Sequence, residues 1–433
     1  MKAAIVAGGR GTRLGSLAET VPKPWLPVAG RPLIARHLDL LAQAGIDQVT
    51  VCVGHLASVI VRELPALAPA GIDLHVVSED EPAGSAGCLA RAFENLEQPL
   101  LVIFGDVVVD MDLAGLLKAH RSHPGCSATV VVHPNDHPQD SDLVELDGDG
   151  RVQALHRKPH PADLDVANLV VAGVFVLEPE LLRTIPRHSC VDLVHDLLPA
   201  ALERGQIVAG HRSTEYLKDM GTPERYAEVQ HAWSAGVVAR MRAGAERPVA
   251  FLDRDGTLNR YVGLIAHPDQ IELLPGAAAA VRRLNRAGVC TVVVTNQPVV
   301  ARGLCDEALL DRIHGRLEML LGRQGAFVDR LYYCPHHPDR GFSGENPAFK
   351  IVCDCRKPAP GLIRRAQREL GLGLRRAAMF GDSQRDFELA RSCGIDFYWL
   401  ACGEPVPAPQ QATSHHDLTA AVQVWLDTLG QGA

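Results

Sequence analysis

Short apolar runs that each give way abruptly to a turn recur along this chain in two separate series. In the first series KAAIV, QVTVCV, LHVVS and PLLVIF read as buried strands, with helical stretches such as PLIARHLDLLAQAG between them. That stretch carries apolar residues at Leu33, Ile34, Leu38 and Leu41, close to the 3.6-residue period, and stops at Gly45. Strands alternating with helices mean an α/β fold with mainly parallel sheets. Around residues 230–248 the pattern lapses into HAWSAGVVARMRAGAERP, which contains no strand, and VAFLD then starts a fresh series. The chain, at 433 residues, is also too long for one core. The expectation is two domains, 1–232 and 248–430, joined by a linker or helix over 233–247. The halves share no motif, so they read as a fusion and not a duplication.

Composition narrows the function. Hydrophobic residues at 47% and charged residues at 22% describe an ordered globular protein, and a net charge of −8 without a basic run argues against nucleic acid as a partner. The opening MKAAIVAGGRGTRLG meets glycine before an apolar leader can form, and no run approaches membrane-span length. Eleven cysteines without a regular framework fit a reducing compartment, where thiols serve as core residues or metal ligands. The expectation is a cytoplasmic protein with no membrane partner; no feature of the chain indicates an oligomeric state.

In AIVAGGRGTRLG a glycine-rich turn directly follows a strand, which lets backbone N–H groups approach phosphate oxygens. A dinucleotide fingerprint fails because Leu14 stands where the third glycine belongs, and a P-loop fails because no G-K-[ST] follows. The prolines of VPKPWLP lead to the expectation that Lys23 lies in an extended segment. With AGGxGTRL and PKP, the sequence EDEPAGSAGCL, VIFGD ending in Asp106, RKP at 157–159 and YLKDMGTPERY with Asp219 follow in order. Together these motifs resemble the sugar-1-phosphate nucleotidyltransferases, over roughly residues 1–230. The resemblance implies that Gly8, Gly9, Gly11, Thr12 and Gly84 contact the nucleotide. It implies that Arg13 and Lys23 neutralise the triphosphate, and that Asp106 and Asp219 hold Mg²⁺. It also implies that Lys158 meets the sugar phosphate; Asn168 stands as a stand-in for the asparagine absent from Val171-Ala172-Gly173.

The second series delivers three polar residues at the ends of apolar runs: Asp253 in VAFLDRDGTLN, Thr295 in CTVVVTNQ and Asp382 in AAMFGD. In open α/β sheets those ends are where ligands bind. D-x-D-x-T, the strand-ending threonine, a lysine and GDSxxD resemble the haloacid dehalogenase phosphatases. The resemblance implies that Asp253 is a nucleophile forming an aspartyl-phosphate and Asp255 the general acid and base. Mg²⁺ would rest on Asp253, the Asp255 carbonyl and Asp382, while Thr295, Asn296, Arg356 and Lys357 bind phosphate. Asn259 and Arg302 would lie in the surrounding loops.

Between these motifs lies CPHHPDRGFSGENPAFKIVCDCRKP. Cys334-x-His336 and Cys353-x-Cys355, with sixteen residues between them, form a Cys₃His set suited to tetrahedral Zn²⁺, and the last cysteine directly precedes Arg356-Lys357. With this loop the second half resembles the heptose-bisphosphate phosphatases and the related histidinol phosphatases. The fold implied is a Rossmann-like, GT-A-like mixed sheet followed by a haloacid dehalogenase-like doubly wound parallel sheet with a zinc loop. Consecutive steps follow: a heptose bisphosphate loses one phosphate, and the heptose 1-phosphate is charged with a nucleotide, GTP being favoured. Two other readings stay open, a histidinol-phosphatase-like half fused to a mannose- or glucose-1-phosphate nucleotidyltransferase, and a non-catalytic role for one half.

Overall fold

The computed structural model describes residues 1–433 apart from 10–11, 19–20, 55, 80, 162, 187–188, 402–412 and 432–433. Gly11 therefore lies outside the described residues, as does the side chain of Thr12. The chain forms two compact units. Unit 1 holds Met1–His133, Asp142–Arg157 and Val171–Ala243; unit 2 holds Pro134–Ser141, Lys158–Val170 and Gly244–Ala433. Among the described residues no helix is long and apolar enough to cross a membrane.

In unit 1 the strand Lys2–Ala7 runs between Gln48–Val53 and Leu100–Phe104, parallel to both, and Val170–Leu177 joins Leu100–Phe104 antiparallel. The sheet is thus mixed. Ala3, Ala4 and Ile5 are fully buried because both faces of the central strand are covered, as its unbroken apolar run requires. The helix Leu33–Gln43 buries Leu33, Ile34, His37, Leu38 and Leu41 and is followed by Gly45 at φ +74°. His37 lies in this apolar stripe, where burial lowers it to about 4, and its ring Nε2 sits 2.8 Å from the Val107 carbonyl. Two expectations need correction. The LHVVS run forms Asp73–Ser78 but is largely solvent-accessible, since it pairs with Gln48–Val53 on the flank of the sheet. Lys23 opens a short 3₁₀ turn, Lys23–Trp25, and is not extended. The bonds closing it come from the N–H groups of Trp25 and Leu26, which the prolines leave available.

Unit 2 has a six-stranded parallel sheet. Its order is Arg330–Cys334, Cys290–Asn296, Val249–Leu252, Ala377–Gly381, Asp396–Leu400 and Thr413–His415. In chain order this is 3-2-1-4-5-6, the doubly wound arrangement whose ligands sit beyond the carboxyl ends of the strands. The three central strands end at Asp253, Asn296 and Asp382, so the sequence pattern and the topology converge on one edge.

Two segments from the first half of the sequence belong to unit 2, which a division at the 233–247 linker does not capture. They fold against the helix Glu307–Gly322. Asn168 is buried there: its N–H donates to Glu318 Oε2 (2.8 Å) and its Nδ2 to the Asn135 carbonyl (2.7 Å). Asp165 faces Arg316 and Arg312 at 3.6 and 3.9 Å. Asn168 therefore holds a backbone crossing, and the structure does not present it to a sugar. Gly315 and Gly322 lie on the same helix face as Glu318. A Cβ on Gly315 would stand 2.7–2.8 Å from the Val166 backbone. In an open helix Gly→Ala gains about 1 kcal/mol. Here the overlap reverses the sign, and Gly315→Ala is expected to destabilise the full chain by about 1–3 kcal/mol. Denaturant unfolding checks this; a stabilised variant would mean that the segment does not press on the helix.

Candidate active sites

At the edge of unit 2 the chain leaves the Val249–Leu252 strand and turns sharply, the Arg254 carbonyl accepting from Leu258 (2.9 Å) and Asn259 (3.1 Å). Buried Leu258 pins the turn. Gly256, at φ +80°, is required, because a Cβ there would run into the Asp382 carboxylate. Asp253 is held by the Phe380 carbonyl through its N–H (3.0 Å), and its Oδ1 accepts from the Arg254 N–H (2.7 Å).

Lys357 reaches Asp253 Oδ1 and Asp386 Oδ1, both at 2.7 Å. Its backbone is fixed by a reciprocal pair with Asn296: Asn296 Nδ2 donates to the Lys357 carbonyl (3.0 Å) and the Lys357 N–H to Asn296 Oδ1 (2.9 Å). Asn296 thus positions the lysine. Asp253, Asp382 and Asp386 bring carboxylate oxygens within 4.8 Å of one another. Burial, reinforced by Asp386 and Asp382, pushes Asp253 up to about 8 against the pull of Lys357. Burial and Asp386 likewise raise Asp382 to about 6. Burial works against the Lys357 ammonium, but its two carboxylates outweigh it and raise its pKa. Three crowded carboxylates with one lysine leave an excess of negative charge, which a divalent cation fits.

Asp386 was not singled out from the sequence, although GDSxxD contains it. It caps the helix Gln384–Cys393 from within, accepting from Ser383, and pairs with Lys357. Thr295 is buried, its Oγ1 accepting from Gln297 Nε2 (2.9 Å). The Asp255 side chain is not part of the carboxylate cluster; it is taken up by Arg254, Asn259 and Gln297.

The Cys₃His loop closes as its spacing predicts. Cys334 Sγ lies 3.5 Å from Cys353, 3.3 Å from Cys355 and 3.7 Å from His336 Nδ1; Cys355 lies 3.3 Å from both Cys353 and His336 Nδ1. These are edge lengths of a tetrahedron with a radius of roughly 2.0–2.3 Å, the range of Zn–N and Zn–S bonds. The Cys334 thiol beside it, with Cys353 and His336, lowers Cys355 to about 5, while Cys355 and burial raise Cys334, and burial and Cys355 raise Cys353. Arg356 follows directly, its Nη1 donating to the His336 carbonyl (3.0 Å), so the cluster and the cavity-lining Arg356 and Lys357 form one piece.

In unit 1, Gly8, Gly9, Lys23, Gly84 and Asp106 line one cavity, and Lys23 Nζ is 3.2 Å from Asp106 Oδ2. Gly84, at φ +76°, is needed because a Cβ would strike the Val191 backbone, so this glycine serves packing as well as the cavity. Asp219 sits across from Val107, the neighbour of Asp106, and the Met220 N–H donates to the Asp106 carbonyl (3.0 Å). Asp219 Oδ2 is held by Arg225 Nη1 at 2.8 Å, and Arg13 Nη2 lies beside it, both crowding Gly221. Lys158, carried by unit 2, donates to the Asp140 carbonyl (2.8 Å). Glu79 was missed as a site residue: it lines the cavity, Oε1 is buried without a partner, and burial raises its carboxyl.

Fold and sites define an enzyme of phosphate chemistry in both halves, a hydrolase with a strand-end aspartate and a nucleotidyltransferase with a glycine-lined cavity. The chain belongs to the nucleotidyl transferase family over residues 2–235 and to the haloacid dehalogenase-like hydrolase family over residues 178–394. It is 38% identical over 160 residues to a D-glycero-beta-D-manno-heptose-1,7-bisphosphate 7-phosphatase of Photorhabdus laumondii, covering 37% of this chain and 83% of that protein. It is 32% identical over 231 residues to the catalytic subunit beta of mannose-1-phosphate guanylyltransferase of Danio rerio, covering 52% of this chain. The match spans 62% of that guanylyltransferase's length. The solved D,D-heptose 1,7-bisphosphate phosphatase of B. bronchiseptica is 33% identical with a TM-score of 0.37, covering 43% of this chain and 99% of that one.

The Cys₃His geometry predicts about one tightly bound zinc per chain in protein purified without chelator, and its loss in Cys355→Ser. Structural zinc contributes roughly 10–16 kcal/mol to a small folded unit, so that variant is expected to melt earlier and lose phosphatase activity. Elemental analysis finding no zinc in the unsubstituted protein would contradict the assignment.

Proposed function

We propose that the chain removes one phosphate from D-glycero-D-manno-heptose 1,7-bisphosphate and transfers a guanylyl group from GTP to the resulting heptose 1-phosphate. The observation that carries this is the cationic wall of the unit 2 cavity. Arg302, Arg356 and Arg385 line it together with Lys357. None of the three arginines is ion-paired to a carboxylate among the described residues. Arg302 instead lies over the Phe342 ring at 3.5 Å. Lys357 is occupied at the nucleophile, so the arginines fit a second phosphate on the same substrate. The relatives of this half are phosphatases named for a heptose bisphosphate. Those of the other half are named for mannose 1-phosphate, which shares the manno ring configuration. Glu79 supports GTP: a carboxylate is the acceptor that matches the paired N–H donors of guanine.

In this reading an Asp253 oxygen attacks phosphorus while Lys357 and Thr295 bind the phosphoryl oxygens. Asp255 protonates the departing alcohol and then takes a proton from the water that hydrolyses the aspartyl-phosphate. In the other half an oxygen of the sugar phosphate attacks the α-phosphorus of the triphosphate and pyrophosphate leaves, with Lys23 and Arg13 balancing its charge. Asp253, Asp382, Asp386 and the Asp255 carbonyl would hold Mg²⁺ in unit 2, and Asp106 and Asp219 in unit 1. The ion supplies charge neutralisation between anionic reactants.

A panel of α- and β-heptose 1,7-bisphosphates with each nucleoside triphosphate, following phosphate and pyrophosphate separately, tests the reading. Asp253→Asn is expected to lower phosphate release at least about 10³-fold while sparing pyrophosphate release from heptose 1-phosphate. Arg385→Ala is expected to raise KM for the bisphosphate about 10-fold, with little change for a monophosphate. Equal turnover of mono- and bisphosphates by the unsubstituted enzyme would refute the second-phosphate subsite.

A further inference from the structure

Asp255 is gripped through both of its oxygens. Arg254 Nη2 donates to Oδ1 and Oδ2, both at 2.9 Å, and Arg254 Nε lies 3.1 and 3.2 Å from them. Asn259 Nδ2 donates to Oδ1 (3.0 Å) and Gln297 Nε2 to Oδ2 (2.7 Å). Gln297 Oε1 closes the ring by accepting from Arg254 Nη2 at 2.9 Å. Arg254 and Asn259 are fully buried and Gln297 is 2% exposed. An arginine is costly to bury unless it is paired, and this one is directed at the neighbouring carboxylate and does not line the substrate cavity. Such an investment suits a carboxylate whose orientation matters to the chemistry.

We propose that Arg254, Gln297 and Asn259 are positioning residues that preset Asp255 for proton delivery to the leaving alcohol. The proposal rests on reading Asp253 as nucleophile and Asp255 as acid and base. As the bond from Asp253 to phosphorus forms, the phosphorus–alcohol bond breaks. The electron pair left on the alcohol oxygen takes the proton that Asp255 carries. The Asp255 carboxylate so created meets guanidinium and amide N–H groups already in place, which stabilises it without reorganisation. Water then attacks the aspartyl-phosphate, gives its proton to Asp255, and leaves as phosphate while Asp253 is restored. Because Arg254 and Asn259 touch Asp255 and do not line the cavity, their loss should affect proton transfer and spare phosphate binding, whereas Gln297 also lines the cavity and holds Thr295.

Leaving groups separate these effects. A sugar alkoxide needs a proton to depart, whereas 4-nitrophenolate does not, and kcat/KM reports the steps up to its release without the later hydrolysis. Arg254→Met and Asn259→Leu in the full-length protein are expected to lower kcat/KM about 10–100-fold for alkyl phosphates and less than about 3-fold for 4-nitrophenyl phosphate. The inhibition constant of vanadate, which probes the phosphate site alone, should stay within that smaller range. Arg254→Lys should recover part of the alkyl activity. Equal losses on both substrates, or vanadate binding that weakens in step, would show a purely structural role and overturn the proposal. Retained turnover in Asp253→Asn would instead refute the underlying assignment of the nucleophile.

Discussion

Lys357 sits between Asp253 and Asp386 at the carboxyl edge of a parallel sheet, and the layout of unit 2 follows from that buried ion pair. Its single positive charge cannot balance three crowded carboxylates, so the site is built short of charge and receptive to a cation. Each group arrives from a different element. Asp253 comes from the central strand, Asp382 and Asp386 from the next strand and the helix it feeds, and Lys357 from the loop after the cysteine cluster. Asn296, on the strand at the other side, fixes the lysine backbone.

This convergence gives the cysteine cluster its purpose. Its last cysteine, Cys355, is two residues from Lys357, and Arg356 is bonded to the carbonyl of His336 within the cluster. A metal there would hold the backbone that carries Arg356 and Lys357 to the cavity.

The sheets and the strand-end residues were legible because buried parallel strands are unbroken apolar runs, and a polar residue at their end is conspicuous. Cys334, His336, Cys353 and Cys355 were legible because ligand spacing is a local property. Asp386 was less visible: one turn into a helix, it looks like an ordinary cap, and only the fold shows that it also reaches Lys357. Asn168 misled for the converse reason. Its place in the sequence is beside the Val170–Leu177 strand, but it is buried against the Glu307–Gly322 helix, some 150 residues later. The partly exposed Asp73–Ser78 strand resembles a buried one in composition, since position at a sheet flank is decided by topology and not by the run itself. Arg254 sits between the two aspartates of D-R-D, where a sequence reading passes over it; its burial and its aim at Asp255 appear only in three dimensions.

Asp253, Asp382 and Asp386 crowd into a site whose charge a Mg²⁺ ion would complete. Calorimetric titration of Mg²⁺ into the full chain and into Asp382→Asn addresses it most directly. The account predicts that the variant loses one of the binding events seen in the unsubstituted protein while the event at the nucleotidyltransferase half persists. Identical titrations of the two proteins would contradict it.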